Sequence, residues 1–354
     1  MSNGFLVPTG RVIKNYLEEY SLNQKDLASR INISEKHISN VLRGKSRLTE
    51  DLALKLESIF KGVPASYWLN YETKYREYLA REEFEDKLTN ENLKKISERF
   101  KFKEVFKGLD WDLQKQAKEM LSILQISDFD NFDNVYSKLA VDFLEDGGER
   151  ESIAIWLNLC REEIEIQNND LSHIKFCRDN LINNLFMFKD IANNPDITTS
   201  INSARKLCNK LGIYIVEQEA IQNSKVRGAL VNFQGHPAIY LSYRFRTHDY
   251  IWFALIHELA HLILHYKQNE TLISYEEDYC DENISKKEFE ANKYTRDFFI
   301  DLYDYNEFIA DKHFDKEKIL NFSIQQNIQP GILVARLQYD KLIPYNKFNY
   351  LKVK

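Results

Sequence analysis

His257, Glu258 and His261 stand at HExxH spacing inside an apolar run, IWFALIHELAHLILHY, from Ile251 to Tyr266. On a helix, positions i and i+4 lie on one face about a turn apart. The two imidazoles can therefore share one Zn²⁺ through ring nitrogens. Glu258, beside the first histidine, can then take a proton from a water activated there, the general-base part of a hydrolysis. Trp252, Phe253, Leu255, Ile256, Leu259, Leu262, Ile263 and Leu264 cover most of the helix circumference, which predicts burial. Buried polar groups need partners, and a metal satisfies all three at once. The pentapeptide alone arises by chance in on the order of one or two chains per hundred of this length. A third ligand decides, because a catalytic zinc site usually has three protein ligands and one open position.

The second helical pattern, KKEFEANKYTRDFFI from Lys286 to Ile300, offers that ligand. Glu288 and Asn292 are four apart on one face. Glu288 can give the zinc a carboxylate oxygen, and Asn292 can hydrogen-bond and orient a ligating imidazole from behind. Glu290 is the competing carboxylate, but it points away from the Asn292 face. His265 follows His261 by four positions; a third consecutive ligand at that spacing is strained, which leaves it a supporting or packing role. His236 and His248, read as loop residues, are candidates to supply a proton or hold an oxyanion, as are Tyr243, Arg244 and Arg246. For each of these the surface reading is the stronger.

HELAH followed by E-x-x-A-N resembles the ImmA/IrrE family of zinc metallopeptidases, whose members often sit behind a DNA-binding helix-turn-helix. The resemblance implies one Zn²⁺ per chain on His257, His261 and Glu288, with Glu258 as general base. It also implies a regulatory protein as substrate, such as a repressor or antitoxin. This chain has Ala260 where family members often have Gly, and Tyr294-Thr295 where they often have Phe-Ala; neither change touches a ligand.

Around the motif, Ile201 to Leu211 reads as a helix ended by Gly212, and Ile213 to Val216 as a strand. RGALVNF and AIYLSYR flank Gln234-Gly235-His236-Pro237, a hairpin signal. One helix, three strands and the zinc helix form an α+β layer, in which a strand edge near the metal can take an extended peptide as an added strand. The run NFSIQQNIQPGILVARLQ adds an apolar helix started by Gln329-Pro330-Gly331. Its IQPGILVARLQ resembles the C-terminal part of long proteins that join an XRE domain to a peptidase domain.

Near the N-terminus, Val12, Ile13, Tyr16 and Leu17 give a first helical face. Asn23 caps QKDLASRI, Asn32-Ile33 turns, and Ser34 caps EKHISNVLR, which Gly44 ends. A short helix, a brief turn and a second short helix make a helix-turn-helix, whose second helix enters the major groove. Ile38, Val41 and Leu42 hold that helix to the core, leaving Glu35, Lys36, His37, Ser39, Asn40 and Arg43 outward. Gln24, Lys45 and Arg47 are placed to fix phosphates. Arg11 to Lys61 holds ten Lys/Arg against seven Asp/Glu, too small an excess to decide by itself. A further helix runs from a Thr49 cap to Phe60, and Pro64-Ala65 starts another. GKSRLTEDLALKLESIF followed by YWLNYETKY resembles the XRE-type domain of HigA-like antitoxins and repressors, over about residues 10 to 78. The resemblance implies duplex operator DNA as partner, a homodimer on half-sites and a possible toxin partner.

Between these parts the chain is charged, helical in period and rich in aromatics. Phe102, Val105, Phe106, Leu109 and Trp111 form one apolar group; Ala117, Met120, Leu121, Leu124 and Ile126 a second; Ile153, Ile155, Trp156, Leu157 and Leu159 a third. Asp146-Gly147-Gly148 marks a break. His173 is expected at the surface, and Cys160 and Cys177 as packing thiols. The 354 residues, 44% hydrophobic and 29% charged with a net charge of −6, suit two or three folded domains and exclude a uniformly basic coat. Cys160, Cys177, Cys208 and Cys280 are widely spaced with no CxxC pair, which predicts reduced thiols in a cytoplasmic protein. MSNGFLVPTGR lacks the apolar run of a signal peptide, and no stretch is long enough to span a membrane.

The expected fold is mainly α with an α+β C-terminal domain. Residues 1–82 form a helix-turn-helix bundle, 83–199 a helical connector and 200–354 a zincin-like peptidase domain with a small sheet. The function that follows is a DNA-binding regulator carrying a zinc metallopeptidase. The alternative is a DNA-binding repressor or antitoxin whose zinc is structural or sensory. A third reading is a peptidase whose helical N-terminus docks a protein substrate.

Overall fold

Three side-chain caps start the N-terminal helices where the sequence puts them. In the computed structural model, which describes residues 7–87, 90–137, 148–243, 247–266, 272–275 and 286–354, the chain divides into two compact units, Met1–Lys94 and Lys95–Lys354. In the first, α1 (Thr9–Glu19) precedes α2 (Gln24–Arg30), whose cap is reciprocal: Asn23 Oδ1 accepts from Asp26 N at 2.9 Å and Asp26 accepts from Asn23 N at 3.0 Å. Ser34 Oγ starts α3 (Glu35–Leu42) by accepting from His37 N, and Thr49 starts α4 (Glu50–Ile59) by accepting from Leu52 N. The turn before α3 has Asn32 at positive φ, a conformation an Asn tolerates better than most residues. Gly44, at φ +72°, ends α3 as expected.

The core of this unit joins Ile13, Leu17, Leu27, Ile38, Leu52 and Leu56 to Trp68 on α5 (Ala65–Lys87). Tyr16, Phe60 and Tyr67 pack their rings on the fully buried Trp68, a side chain whose removal from such a site costs about 3–5 kcal/mol. Gly10 lies so close to α3 that a Cβ there would collide with the Leu42 carbonyl. On α5, Glu72 accepts from Leu48 N at 3.3 Å and pairs with Arg76 at 2.7 Å. Arg76 in turn donates to the carbonyls of Gly44 and Ser46, so α5 holds the loop that follows α3.

The division falls within α6 (Asn90–Arg99), and the second unit continues with α7 (Phe102–Val105), α8 (Leu113–Ile123) and α9 (Phe132–Val135). Phe100, Phe102, Phe129 and Phe132 form one ring cluster there, whereas Leu109, expected in the same apolar group, is exposed. α10 (Arg150–Gln167) follows and packs on the sheet, with Trp156 against Tyr240. Then come α11 (Arg178–Asn183), α12 (Leu185–Ala192) and α13 (Ile197–Lys210), the last capped by Asp196 and followed by Gly212 at φ +77°. Of the expected connector, residues 83–199, the part from Lys95 onward falls in one unit with residues 200–354. Cys177 is exposed ahead of α11 rather than packed, while Cys160 and Cys208 are buried. His173 is at the surface. Asp146-Gly147, Arg244, Arg246 and Cys280 lie outside the described residues.

Among the described residues the sheet has four strands where three are expected, in the order β1-β3-β2-β4. β1 (Tyr214–Gln218) pairs parallel with β3 (His236–Ser242), and β2 (Val226–Phe233) pairs antiparallel with β3. Gln234 and Gly235, both at positive φ, form the two-residue hairpin turn. β4 (Leu272–Tyr275) adds to the other side of β2, with a register irregularity at Val226/Gly228. α14 (His248–Leu264) packs on β2 and β3 and is buried on nearly every side. α15 (Lys286–Phe299), α16 (Leu302–Ile309), α17 (Lys316–Gln325) and α18 (Pro330–Tyr339) complete the unit, with α15 and α18 both against α14. Among the described residues, no helix is long and apolar enough to cross a membrane.

Candidate metal centre and nucleic-acid interface

α14 begins three residues before the expected start, because its first turn is closed from far away. His248 N donates to the Val353 carbonyl at 2.9 Å, and Asp249 pairs with Lys352 at 2.9 Å. His248 is therefore a buried helix residue, its Nε2 3.1 Å from the Asn194 carbonyl, and not a loop group free to reach a substrate. His236 is likewise the first residue of β3, with Nδ1 3.2 Å from the Gly212 carbonyl. Tyr243, just past β3, is half-buried against the core.

One helix supplies His257 and His261, and α15, packed on it, supplies Glu288. The Nε2 atoms of the two histidines are 3.0 Å apart. Glu288 lies 3.0 Å from each, Oε2 on His257 and Oε1 on His261. Both imidazoles are buried and Glu288 is mostly covered. Two ring nitrogens and a carboxylate converging on one point form a donor set able to hold a metal ion. Burial pushes His257 down to about 4, against the upward pull of Glu288. Burial also works against His261, yet Glu288 and Glu258 prevail and raise it. Burial opposes ionisation of Glu288 too, but hydrogen bonds from the two imidazoles hold it well below the usual carboxylate range. An ionised Glu288 beside a neutral His257 suits a metal, which binds deprotonated ligands.

Glu258 is wholly buried on the strand side of α14. A Cβ at Gly228 would stand 2.5 Å from its Oε1 and 3.1 Å from its Cδ, so the missing side chain on β2 makes the space its carboxylate occupies. The sequence held a signal for this: a glycine inside a strand marks a close approach. His265 ends α14, with its Nδ1 3.0 Å from His261 Nδ1 and its Nε2 3.0 Å from Glu290 Oε2. Glu290, the rival carboxylate, thus meets His265 and does not converge with the other three. Asn292 differs from expectation. It lines a pocket with Arg227 and Phe253 and makes no hydrogen bond to either imidazole. Phe253 itself lies one turn before His257, with the two rings nearly parallel at 6.3 Å.

In the N-terminal unit, Glu35, Lys36 and Arg43 are exposed on α3, and His37, Ser39 and Asn40 are half-buried. Arg43 Nε donates to Ser39 Oγ at 3.0 Å, which fixes the guanidinium along the helix. Gln24 donates to the Glu35 carbonyl at 3.1 Å and so ties the start of α2 to the start of α3. Lys45 and Arg47 are exposed on the loop that Arg76 holds.

Residues 13–68 match a helix-turn-helix family model, and residues 208–321 match the model of the IrrE N-terminal-like domain of the M78 peptidases. An uncharacterized HTH-type transcriptional regulator of Haemophilus influenzae is 34% identical over 61 residues, 17% of this chain. The match spans 56% of that relative's length. With the caps of α2 and α3 at one end and the convergent His257, His261 and Glu288 at the other, the chain carries an XRE-type helix-turn-helix domain and a domain of the ImmA/IrrE peptidase family.

Proposed function

We propose that the protein is a DNA-binding transcriptional regulator whose second unit is a zinc-dependent endopeptidase acting on a regulatory protein. The observation that carries the peptidase reading is the convergence of His257, His261 and Glu288 within 3.0 Å of one another, beside a buried Glu258. Zinc, when bound by these three, supplies Lewis acidity that acidifies water and polarises a carbonyl. Glu258 takes the proton of the attacking water and returns it to the departing amide nitrogen. A structural site has no need of such a base.

His265 and Glu290 set the tautomer of His261. With Nε2 of His261 turned to the metal, its Nδ1–H donates to His265 Nδ1, and His265 Nε2–H donates to Glu290. Such outer hydrogen bonds fix ring orientation and raise ligand basicity. The strands against the motif helix, β2 and β3, are each paired on both sides, and among the described residues β4 is the edge strand next to β2, along which an extended substrate is held in this reading.

For the first unit, the reading is duplex operator DNA. Glu35, Lys36, His37, Ser39, Asn40 and Arg43 face the groove, and Gln24, Lys45 and Arg47 the phosphates. A homodimer on two half-sites, a cytoplasmic setting, a toxin partner and a repressor or antitoxin as substrate belong to the same reading through the family likeness.

The test is zinc content and proteolysis of wild type, Glu258→Gln and Glu288→Ala, with new peptide termini in a lysate identified by mass spectrometry. One zinc per chain is expected in wild type and Glu258→Gln, and a loss in Glu288→Ala. New termini should fall by about 10²–10⁴-fold in Glu258→Gln, the usual worth of a general base. Zinc bound with identical termini in all three proteins would leave a repressor with a structural or sensing metal.

A further inference from the structure

A pocket of about 210 Å³ is lined by residues of α14 and α15 that lie one turn from His257 and Glu288, and by Arg227 of β2. Arg227 precedes Gly228, which abuts Glu258; Phe253 is one turn before His257; Asn292 is one turn past Glu288. The volume exceeds the roughly 150 Å³ that admits a benzene ring and falls short of the roughly 300–1,000 Å³ typical of ligand pockets. It suits one side chain of a bound peptide.

The lining joins apolar and aromatic walls, Phe253, Tyr339 and Ile332 among them, to a group of cations. Two of these cations are already neutralised: Lys352 by Asp249 at 2.9 Å and Arg336 by Asp340 at 2.7 Å. Arg296 is different. It donates to the Tyr339 hydroxyl at 3.0 Å and lies over that ring at 5.1 Å, but among the described residues it has no carboxylate partner. A planar guanidinium held by an aromatic ring, with its remaining N–H groups available, is suited to grip a carboxylate.

We propose that this pocket selects substrates carrying a carboxylate on an apolar stem next to the scissile bond. The assignment rests on the peptidase reading. Phe253 and Ile332 bury the stem, and Arg296 takes the acid. The carboxylate comes either from a Glu or Asp side chain or from the free chain end of the substrate.

Binding separates this assignment from turnover. Zinc-loaded full-length Glu258→Gln protein is titrated calorimetrically with N-acetyl-glutamate α-amide, N-acetyl-glutamine α-amide and N-acetyl-glutamine bearing a free α-carboxylate. A carboxylate ligand should bind about ten- to hundredfold more tightly than the neutral amide, the worth of one charge-assisted hydrogen bond. Preference for the first ligand names an acidic side chain as the source, and preference for the third names a chain end. Adding Arg296→Gln should erase the preference. Arg296→Glu should turn it toward N-acetyl-lysine α-amide, a gain that a misfolded protein cannot show. Equal affinities, or a preference surviving Arg296→Gln because the metal holds the acid, overturn the proposal. Wild-type hydrolysis of peptides with no acid preference sinks the pocket assignment alone. Acid preference with no hydrolysis of any peptide keeps the pocket and removes the peptidase reading.

Discussion

The outward face of α3 and the buried centre on α14 and α15 are built by opposite means. The α3 face is local: its caps, turn and end signal all lie within about one helix length of the side chains they present, and those side chains are exposed or half-buried. The metal centre is assembled from α14, α15 and β2, and its groups are shut away from solvent. A surface built locally tolerates a changed side chain, because water replaces what is lost. A buried centre does not, because each group there depends on a neighbour from another part of the chain.

This contrast makes the Gly228→Ala change the most telling. A methyl group 2.5 Å from Glu258 Oε1 must move the carboxylate, and an ångström of misplacement costs about 10²-fold in rate. Hydrolysis by zinc-loaded protein should fall by that amount while metal content stays at the wild-type level. Unchanged rates would mean that Glu258 has room to spare. Gly10→Ala probes the α3 side of the comparison at a tight backbone contact. Overpacking against the Leu42 carbonyl should destabilise the first unit by about 1–3 kcal/mol, read by denaturant melting, and weaken DNA binding. Zinc content should not change; if it does, the two units are not independent.

Smaller effects sharpen the same line. The Lys45→Ala, Arg47→Ala double variant should reduce the slope of log affinity against log salt for duplex DNA by about 2, with melting unaltered. An unchanged slope would remove phosphates as their partners. Asn23→Ala removes one half of the reciprocal cap and should cost about 1 kcal/mol of stability, with both zinc and the salt slope intact.

The same division explains what the sequence revealed. Asn23, Ser34, Thr49 and Gly44 were readable because capping is a matter of three or four neighbouring residues. His257, His261 and Glu288 were readable because the i+4 spacing and the second helical pattern are periodic. The rest came from pairs far apart in sequence. His248 reads as a loop residue, since a polar Thr-His-Asp run gives no hint that a distant carbonyl starts a helix there. β4 is four residues long and bonds across nearly half a hundred positions to β2, too short a run to stand out by alternation. Helical spacing points Asn292 toward an imidazole, but spacing sets only the helix face, and Asn292 lines the pocket. Glu72 and Arg76, which brace the loop carrying Lys45 and Arg47, resemble any exposed i,i+4 pair until the loop is seen beside them.

Lys352 is made 103 positions after Asp249, the residue it pairs with at the start of α14. A growing chain therefore carries the whole HExxH helix, and then Glu288, well before the first turn of that helix receives its carbonyl from Val353. In that interval packing on β2, β3 and the neighbouring helices holds the helix in place, while the closing contact waits on a long loop. A translation product cut short before Lys352 would still read as a peptidase in any search for its motif. It would lack the residues that finish the helix on which the motif stands.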